Sequence, residues 1–343
     1  MFKNISIIGD GGMGTVLGML LCEKGVDVRI WGYDREQLAQ IAALRENRKF
    51  LPGYKLPDAL GFESDDGRIM AGADLIVSAV PCQFMRRIWT RLKDYVPPKT
   101  PIVSVAKGIE NDTLLRPTQV LADILQLYQI DSNKGGRTGK GGLAALSGPT
   151  IADELARRLP ATACVAAQDE RLAKRIQETF SVSWFRVYTI ADVVGVELAG
   201  AMKNIIAIAA GVIDGTRAGD NAKAALLTRG LAEITRLGVA MGARPQTFAG
   251  LTGLGDLVTT CISPTGRNRS FGERIGRGQT VDQAQHANES VVEGIATCKS
   301  VVALAGRYGI EMPITQAVYE VLFEDKPVRE AIADLMRRQL KAE

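Results

Sequence analysis

The feature that most narrows the fold of this chain stands near its start. Gly9-Asp10-Gly11-Gly12-Met13-Gly14 directly follows the run Ile5-Ser6-Ile7-Ile8 and directly precedes a helical pattern. A strand that enters such a turn and leaves it as a helix is compatible with few architectures. Gly9 permits the tight turn, Gly11 lets the backbone approach a pyrophosphate, and Gly14 lets helix and strand pack closely. Amides at the helix start then face the phosphate anion. Glycine-rich turns alone are common, but a second strand, Val26–Trp31, follows here, and that context favours dinucleotide binding over a plain turn.

Further strands are expected at Leu75–Val80, Ile102–Val105, Ala144–Ser147, Ala161–Ala167 and Phe185–Tyr188, with helical patterns between most of them. That alternation is the signature of a parallel sheet with crossovers. Near residue 190 the style changes. Val194–Ile213, Ala222–Met241, Val291–Tyr308 and Ile314–Phe323 all show helical spacing. The expected fold is an α/β Rossmann domain over residues 1–190, doubly wound on a mostly parallel sheet, followed by an all-α domain over 191–343. A length of 343 residues suits two domains. The Gly-rich stretch Lys134–Gly142 reads as an exposed loop. It fails as a P-loop, because Gly139-Lys140 lacks both the earlier Gly and a following Ser or Thr.

Composition removes several classes of function. A single histidine, His286, excludes multi-histidine metal sites, and no metal is expected. Cys22, Cys82, Cys164, Cys261 and Cys298 stand far apart with no CxxC pair, which argues for a reducing compartment. The net charge of +4 carries no basic stripe, so no nucleic acid is expected as a partner. The most apolar run, Ile205–Ile213, covers about half of the ~20 residues a membrane span needs. The N-terminus has no signal-peptide pattern. The expected location is the cytoplasm, and a homodimer is the one assembly kept open.

The chemistry-bearing residues fall at strand ends and within the helical half. Asp34 follows the second strand, where a carboxylate accepts hydrogen bonds from adenosine ribose hydroxyls and repels a 2′-phosphate. This favours NAD over NADP, while a helix N-cap explains the residue equally well. Tyr33 either stacks on adenine or covers the strand edge. The segments beginning Ala79-Val80-Pro81, Ser104-Val105-Ala106-Lys107 and Ser147-Gly148-Pro149-Thr150 each start at a strand's carboxyl end. Lys107 brings an ammonium to that edge, or is a solvated loop lysine. Lys203-Asn204 interrupts an apolar helix, and burying an unpaired lysine costs several kcal/mol. Burial and a nearby cation both favour the neutral amine, making Lys203 the leading general acid/base; a surface lysine on an amphipathic helix is the alternative. Asp256 lies in a Gly-rich bend, and Arg267-Asn268 offers a guanidinium and an amide suited to phosphate oxygens.

Taken in order, these segments resemble the NAD(P)-dependent glycerol-3-phosphate dehydrogenase family almost end to end. The resemblance rests on the Gly-rich turn, Leu51-Pro52-Gly53-Tyr54-Lys55-Leu56-Pro57, Lys107-Gly108, Ser147-Gly148-Pro149, Lys203-Asn204 and Gly219-Asp220-Asn221. It continues through Leu227-Thr228-Arg229-Gly230, Gly253-Leu254-Gly255-Asp256, Arg267-Asn268 and Val292-Glu293-Gly294. It implies reversible reduction of dihydroxyacetone phosphate to sn-glycerol 3-phosphate, feeding phospholipid synthesis. It makes Lys203 the proton carrier and sets Lys107, Gly148, Thr150, Asn204, Asp256, Gly266, Arg267 and Asn268 around the substrate. It assigns NAD or NADP to Gly12, Met13, Tyr33, Phe84, Lys107, Ala152, Arg267, Val291 and Glu293, which join Gly9, Gly11, Gly14 and Asp34 from the turn and the end of the second strand.

The chain departs from the pattern of bacterial relatives, which usually carry Ser-Trp where it has Gly12-Met13 and Ser where it has Gly266. Tyr33-Asp34 and Val80-Pro81-Cys82-Gln83-Phe84 look more like the NAD-using eukaryotic relatives. Two rivals remain at this point: a β-hydroxyacid dehydrogenase of the 6-phosphogluconate type, and a non-catalytic NADH sensor.

Overall fold

The computed structural model describes residues 1–131, 136–139, 142–287 and 291–340. The chain divides into two compact units. One comprises Met1–Lys107 with Leu115–Val196, and the other Gly108–Leu114 with Glu197–Glu343. Relative to the expected division at residue 190, the boundary lies at Val196, and the short segment Gly108–Leu114 groups with the helical unit.

Among the described residues the first unit has ten strands: β1 (Asn4–Ile8), β2 (Asp27–Trp31), β3 (Gly61–Phe62), β4 (Leu75–Ser78), β5 (Ile102–Ser104), β6 (Tyr128–Asp131), β7 (Gly136–Gly139), β8 (Leu143–Ser147), β9 (Ala161–Ala167) and β10 (Phe185–Ile190). Eight of them form one sheet in the order β10-β9-β8-β5-β4-β1-β2-β3. Every neighbouring pair in it is parallel except β8 with β9. Strands buried on both faces carry apolar residues of both parities. Accordingly Ile7, Ile30, Val77 and Val103 belong to one core cluster, while Ile8, Trp31, Ile76 and Ile102 belong to another. The chain winds from β1 outward through β2 and β3, then returns to β4 on β1's other side. That reversal opens a crevice at the carboxyl ends of β1 and β4, the place where doubly wound sheets bind ligands.

Two sequence expectations need correction here. Gly136–Gly139, inside the stretch expected to be an exposed loop, is a strand pairing antiparallel with Tyr128–Asp131. Glycines gave that segment no side-chain alternation from which a strand could be read. The neighbouring residues 132–135 and 140–141, which include part of the same stretch, lie outside the described residues. The edge strand β3 was also not expected, since only Gly61 and Phe62 pair with β2.

The second unit is helical. Its longest helices are Val193–Thr216, Asp220–Ala240 and Glu293–Tyr308. Among the described residues Val193–Thr216 is long and apolar enough to cross a membrane, contrary to the expectation that no segment would be. Its apolar window is 83% buried inside the protein, so packing against neighbouring helices accounts for its composition. Part of that packing is backbone on backbone. A Cβ added at Gly211 would meet Arg269 O at 1.9 Å, and one at Gly272 would meet Ile208 O at 2.0 Å. Helices Val193–Thr216 and Arg267–Gly276 therefore approach more closely than side chains would allow. This fixes Asn268, one turn before Gly272, in register with Lys203 and Asn204, two turns before Gly211.

Candidate functional site

In the first unit, the sequence-selected residues gather at the carboxyl edge of the sheet. Gly9 has φ 120°, and a Cβ there would stand 2.7 Å from Ala79 O at the end of β4. A Cβ at Gly14 would meet Gly9 O at 2.0 Å, so helix and turn touch through backbone. Gly11 is different, with nothing within 4 Å of its would-be Cβ. It precedes helix Gly12–Glu23, whose start has no side-chain cap and no acidic residue in its first turn. Open space beside unfilled helix-start amides fits a pyrophosphate. Asn47, wholly buried, braces the turn by donating to Asp10 O (2.7 Å) and Thr15 Oγ1 (2.8 Å). Gly12 lies under Phe50 O and near Ala152, the first residue of helix Ala152–Ala156. Neither Asn47 nor Phe50 was marked by sequence reasoning, since a lone Asn before a turn carries no spacing signal.

Farther along this edge, Lys107 Nζ donates to Gly148 O at 3.0 Å, and Thr150 Oγ1 donates to the same carbonyl at 3.2 Å. Gly148 holds φ 150°, and a Cβ there would press on Ala163 Cα at 2.9 Å. Met13, Lys107, Ser147 and Thr150 line one small cavity of about 10 Å³. Ser147 Oγ is buried there without a hydrogen-bond partner among the described residues.

Past β2, Asp34 accepts hydrogen bonds from Glu36 N (3.0 Å) and Gln37 N (3.1 Å) through Oδ1, capping helix Arg35–Leu44. Tyr33 and Phe84 are both about half exposed. The two carboxylates of this region differ in setting. Burial pushes the Asp10 carboxyl above the usual range, and the neighbouring Asp34 charge adds to that.

The second unit holds a tighter constellation. Lys203 Nζ donates to Asp256 Oδ1 at 2.7 Å and to Thr260 Oγ1, and both charged side chains are buried. Thr260 in turn donates to Asp256 Oδ1 at 3.3 Å. The sequence suggested a second cation beside Lys203; its hydrogen-bond partners include a carboxylate and a hydroxyl. An ammonium is the form stabilised by such neighbours, and it is the form that donates a proton. Asp256 opens helix Asp256–Ile262, preceded by the wide turn Leu251–Gly255, and Thr260 follows one helical turn later. Cys261 is beside this cluster, but burial pushes its thiol up to about 12, which removes it as a nucleophile.

Asn204 and Asn268 are both buried and linked by an ordered chain of bonds. Gly294 N donates to Asn268 Oδ1 (2.9 Å), and Asn268 Nδ2 donates to Asn204 Oδ1 (3.0 Å). The backbone donor fixes which end of each amide faces which. Asn204 Nδ2 is thereby left buried with no acceptor among the described residues. Such a group costs about 1–3 kcal/mol unless something accepts from it. Arg267 opens helix Arg267–Gly276 after Gly266, is exposed, and donates to Val291 O at 3.3 Å. Glu293 starts helix Glu293–Tyr308 two residues beyond Val291. Arg267, Asn268, Val291 and Glu293 thus meet where two helices begin.

Comparison with known proteins follows the same division. Residues 4–173 match the family model for the N-terminus of NAD-dependent glycerol-3-phosphate dehydrogenase, and residues 192–333 match that for its C-terminus. A glycerol-3-phosphate dehydrogenase (NAD(P)+) of Geobacter sp. strain M21 is 47% identical over 100% of this chain and 99% of its own length. One from Chlorobium limicola is 46% identical over 99% of each. The crystal structure of glycerol-3-phosphate dehydrogenase from Coxiella burnetii is 37% identical, with a TM-score of 0.91 over 98% of this chain and 99% of that one. A glycerol-3-phosphate dehydrogenase structure from Saccharomyces cerevisiae is 28% identical, with a TM-score of 0.80 over the same shares.

Proposed function

The chain belongs to the NAD-dependent glycerol-3-phosphate dehydrogenase family, and on that premise we propose that it interconverts sn-glycerol 3-phosphate and dihydroxyacetone phosphate with NAD(H) or NADP(H), supplying glycerol 3-phosphate for phospholipid synthesis. The observation that carries the chemistry is the buried Lys203 ammonium, held between Asp256 and Thr260. A bound nicotinamide supplies the hydride for reduction of the ketone carbon. Lys203 Nζ gives its proton to the oxygen as negative charge develops there, and in the oxidative direction takes it back from the hydroxyl. Asp256 and Thr260 aim Nζ and keep it charged. Lys107 is a second cation assigned to the substrate, and electrostatic stabilisation by such a charge is often the largest catalytic contribution.

Asn204 Nδ2, buried and without an acceptor among the described residues, is a ready donor for a substrate oxygen. Arg267 and Asn268, at the start of helix Arg267–Gly276, take the phosphate; a guanidinium and a helix N-terminus both favour an anion. Gly148 and Thr150 shape the wall beside Lys107.

For the cofactor, Gly9, Gly11, Gly12, Met13 and Gly14 cradle the pyrophosphate, with Ala152 behind Gly12. Tyr33, Asp34 and Phe84 are assigned to the adenosine half, and Arg267, Val291 and Glu293 are also assigned to the cofactor. Asp34 favours NAD. Its Oδ1 serves both cap amides, leaving Oδ2 for a ribose hydroxyl and against a 2′-phosphate. A cytoplasmic location agrees with five free cysteines, four of them buried.

The test follows NADH absorbance with dihydroxyacetone phosphate, 6-phosphogluconate and no substrate. Oxidation of NADH by dihydroxyacetone phosphate is the expected result. Turnover of 6-phosphogluconate with NAD instead, or cofactor binding without any turnover, would overturn the proposal.

A further inference from the structure

Helix Cys82–Leu92 carries Arg86, Arg87 and Arg91, and the three are engaged differently. Arg86 pairs with Asp123 at 2.7 Å. Arg91 holds Asp66 through two bonds of 2.6 and 2.8 Å, and Asp66 keeps its guanidinium firmly charged. Arg87 has no carboxylate partner among the described residues. Its guanidinium lies over the Tyr33 ring, 5.2 Å from the centroid, and Nη2 donates to Tyr33 Oη at 2.5 Å. Arg87 is exposed, one helical turn beyond Phe84, so the two share a face of that helix.

A stacked arginine with open N–H groups, standing beside the residue that ends β2, has the chemistry of a phosphate fork. The carboxylate that would oppose a phosphate here is Asp34, whose Oδ1 is drawn toward the amides of Glu36 and Gln37. Asp10, the other nearby acid, has its carboxyl packed over Gly32. Lys49 adds a further cation on this side, donating to Gln37 Oε1 at 3.1 Å.

We propose that Arg87, held over Tyr33, is a specificity-determining residue that binds the 2′-phosphate of NADP(H) and so lets an otherwise NAD-favouring chain use both cofactors. This rests on the dinucleotide reading above and goes beyond it. In this arrangement Asp34 sets the preference between the cofactors, and Arg87 sets whether the phosphorylated one is accepted at all. Tyr33 acts as the platform, its hydroxyl fixing the guanidinium plane.

The experiment measures direct binding of NADPH, NADH, 2′,5′-ADP and 5′-ADP, by nucleotide fluorescence and calorimetry without substrate. For Arg87→Ala, Kd for NADPH and 2′,5′-ADP should rise at least tenfold, while Kd for NADH and 5′-ADP stays within twofold. Arg87→Lys should recover part of the loss, because it restores the charge without the fork. An equal loss for phosphorylated and unphosphorylated nucleotides would overturn the proposal by making Arg87 only a support for Tyr33. No change, or a wild-type protein that does not bind NADPH, would overturn it as well. Because no turnover is measured, failure here is distinct from failure to reduce dihydroxyacetone phosphate.

Discussion

Lys203 and Asp256 hold each other at 2.7 Å inside the helical unit, one from the middle of a long apolar helix and the other from the first position of a short one. Such a buried pair stabilises little by itself, because desolvation offsets most of the Coulomb gain. Its value is positional. It fixes an ammonium where Thr260 adds a second bond and where Asn204, the adjacent residue, presents an unaccepted amide.

If Lys203 carries the proton, Lys203→Met should lower kcat by ~10²-fold or more, since general acid–base groups contribute about 10²–10⁴-fold. Removing the ammonium also takes from the buried Asp256 carboxylate the cation it pairs with, and breaking a buried pair costs about 3–5 kcal/mol. Thermal melting and NADH binding must therefore accompany the kinetics. Lys203→Met with Asp256→Asn also removes the buried negative charge, and should regain stability without regaining activity. A folded variant with most of its kcat would end the assignment.

The cofactor preference gives a second measurement. Asp34→Ser keeps a helix-capping side chain while removing the carboxylate. The kcat/KM ratio of NADH to NADPH should exceed one in the wild type and fall several-fold in the variant. A wild type that clearly prefers NADPH would reduce Asp34 to its cap role, the role its bonds to Glu36 and Gln37 already show.

What could be read from the sequence, and what could not, divides along physical lines. Strands β1, β4 and β9 declared themselves because strands buried inside a sheet are short apolar runs, and the Gly-rich turn fixed what followed β1. Lys203 stood out because a lysine in an apolar helix needs a reason. Its contact with Thr260 did not, because the two meet only when separate helices pack. Asp34 fits a cap and a ribose ligand equally in one dimension, and three dimensions display the cap. Arg87 was hidden among several arginines on one helix, and only ion pairing tells them apart. The wide turn Leu251–Gly255 read as an irregular bend because glycines give no periodicity.

The glycine contacts between helices Val193–Thr216 and Arg267–Gly276 yield a stability prediction with an internal control. Gly272→Ala drives a Cβ to 2.0 Å from Ile208 O, so the helices must separate. Overpacking of this kind costs about 1–3 kcal/mol, and the backbone contact puts this case at the upper end. Gly306→Ala makes the same change in helix Glu293–Tyr308 with nothing within 4 Å of the new Cβ. It should stabilise by about 0.4–1 kcal/mol through the unfolded chain. Denaturant midpoints of the two variants should therefore move in opposite directions. A Gly272→Ala protein as stable as wild type would show that the interface yields.

The phosphate of the substrate gives the last prediction. Arg267 is exposed, makes no ion pair among the described residues, and opens a helix whose second residue, Asn268, is locked by Gly294 N. One guanidinium hydrogen bond to Val291 O leaves most of its fork for an anion. A charge-assisted contact of this kind is worth about 1.5–3 kcal/mol. Arg267→Ala should then lower kcat/KM for dihydroxyacetone phosphate by at least ~10-fold. Unphosphorylated dihydroxyacetone lacks the group in question, so its slower turnover should change far less. Since Arg267 is also assigned to the cofactor, NADH affinity is measured on the same variant. An equal loss on both substrates with NADH affinity unchanged would move Arg267 from phosphate binding to the geometry of hydride transfer. In that event Asn268 and the helix start would be left to hold the phosphate, and Asn268→Ala would become the deciding variant.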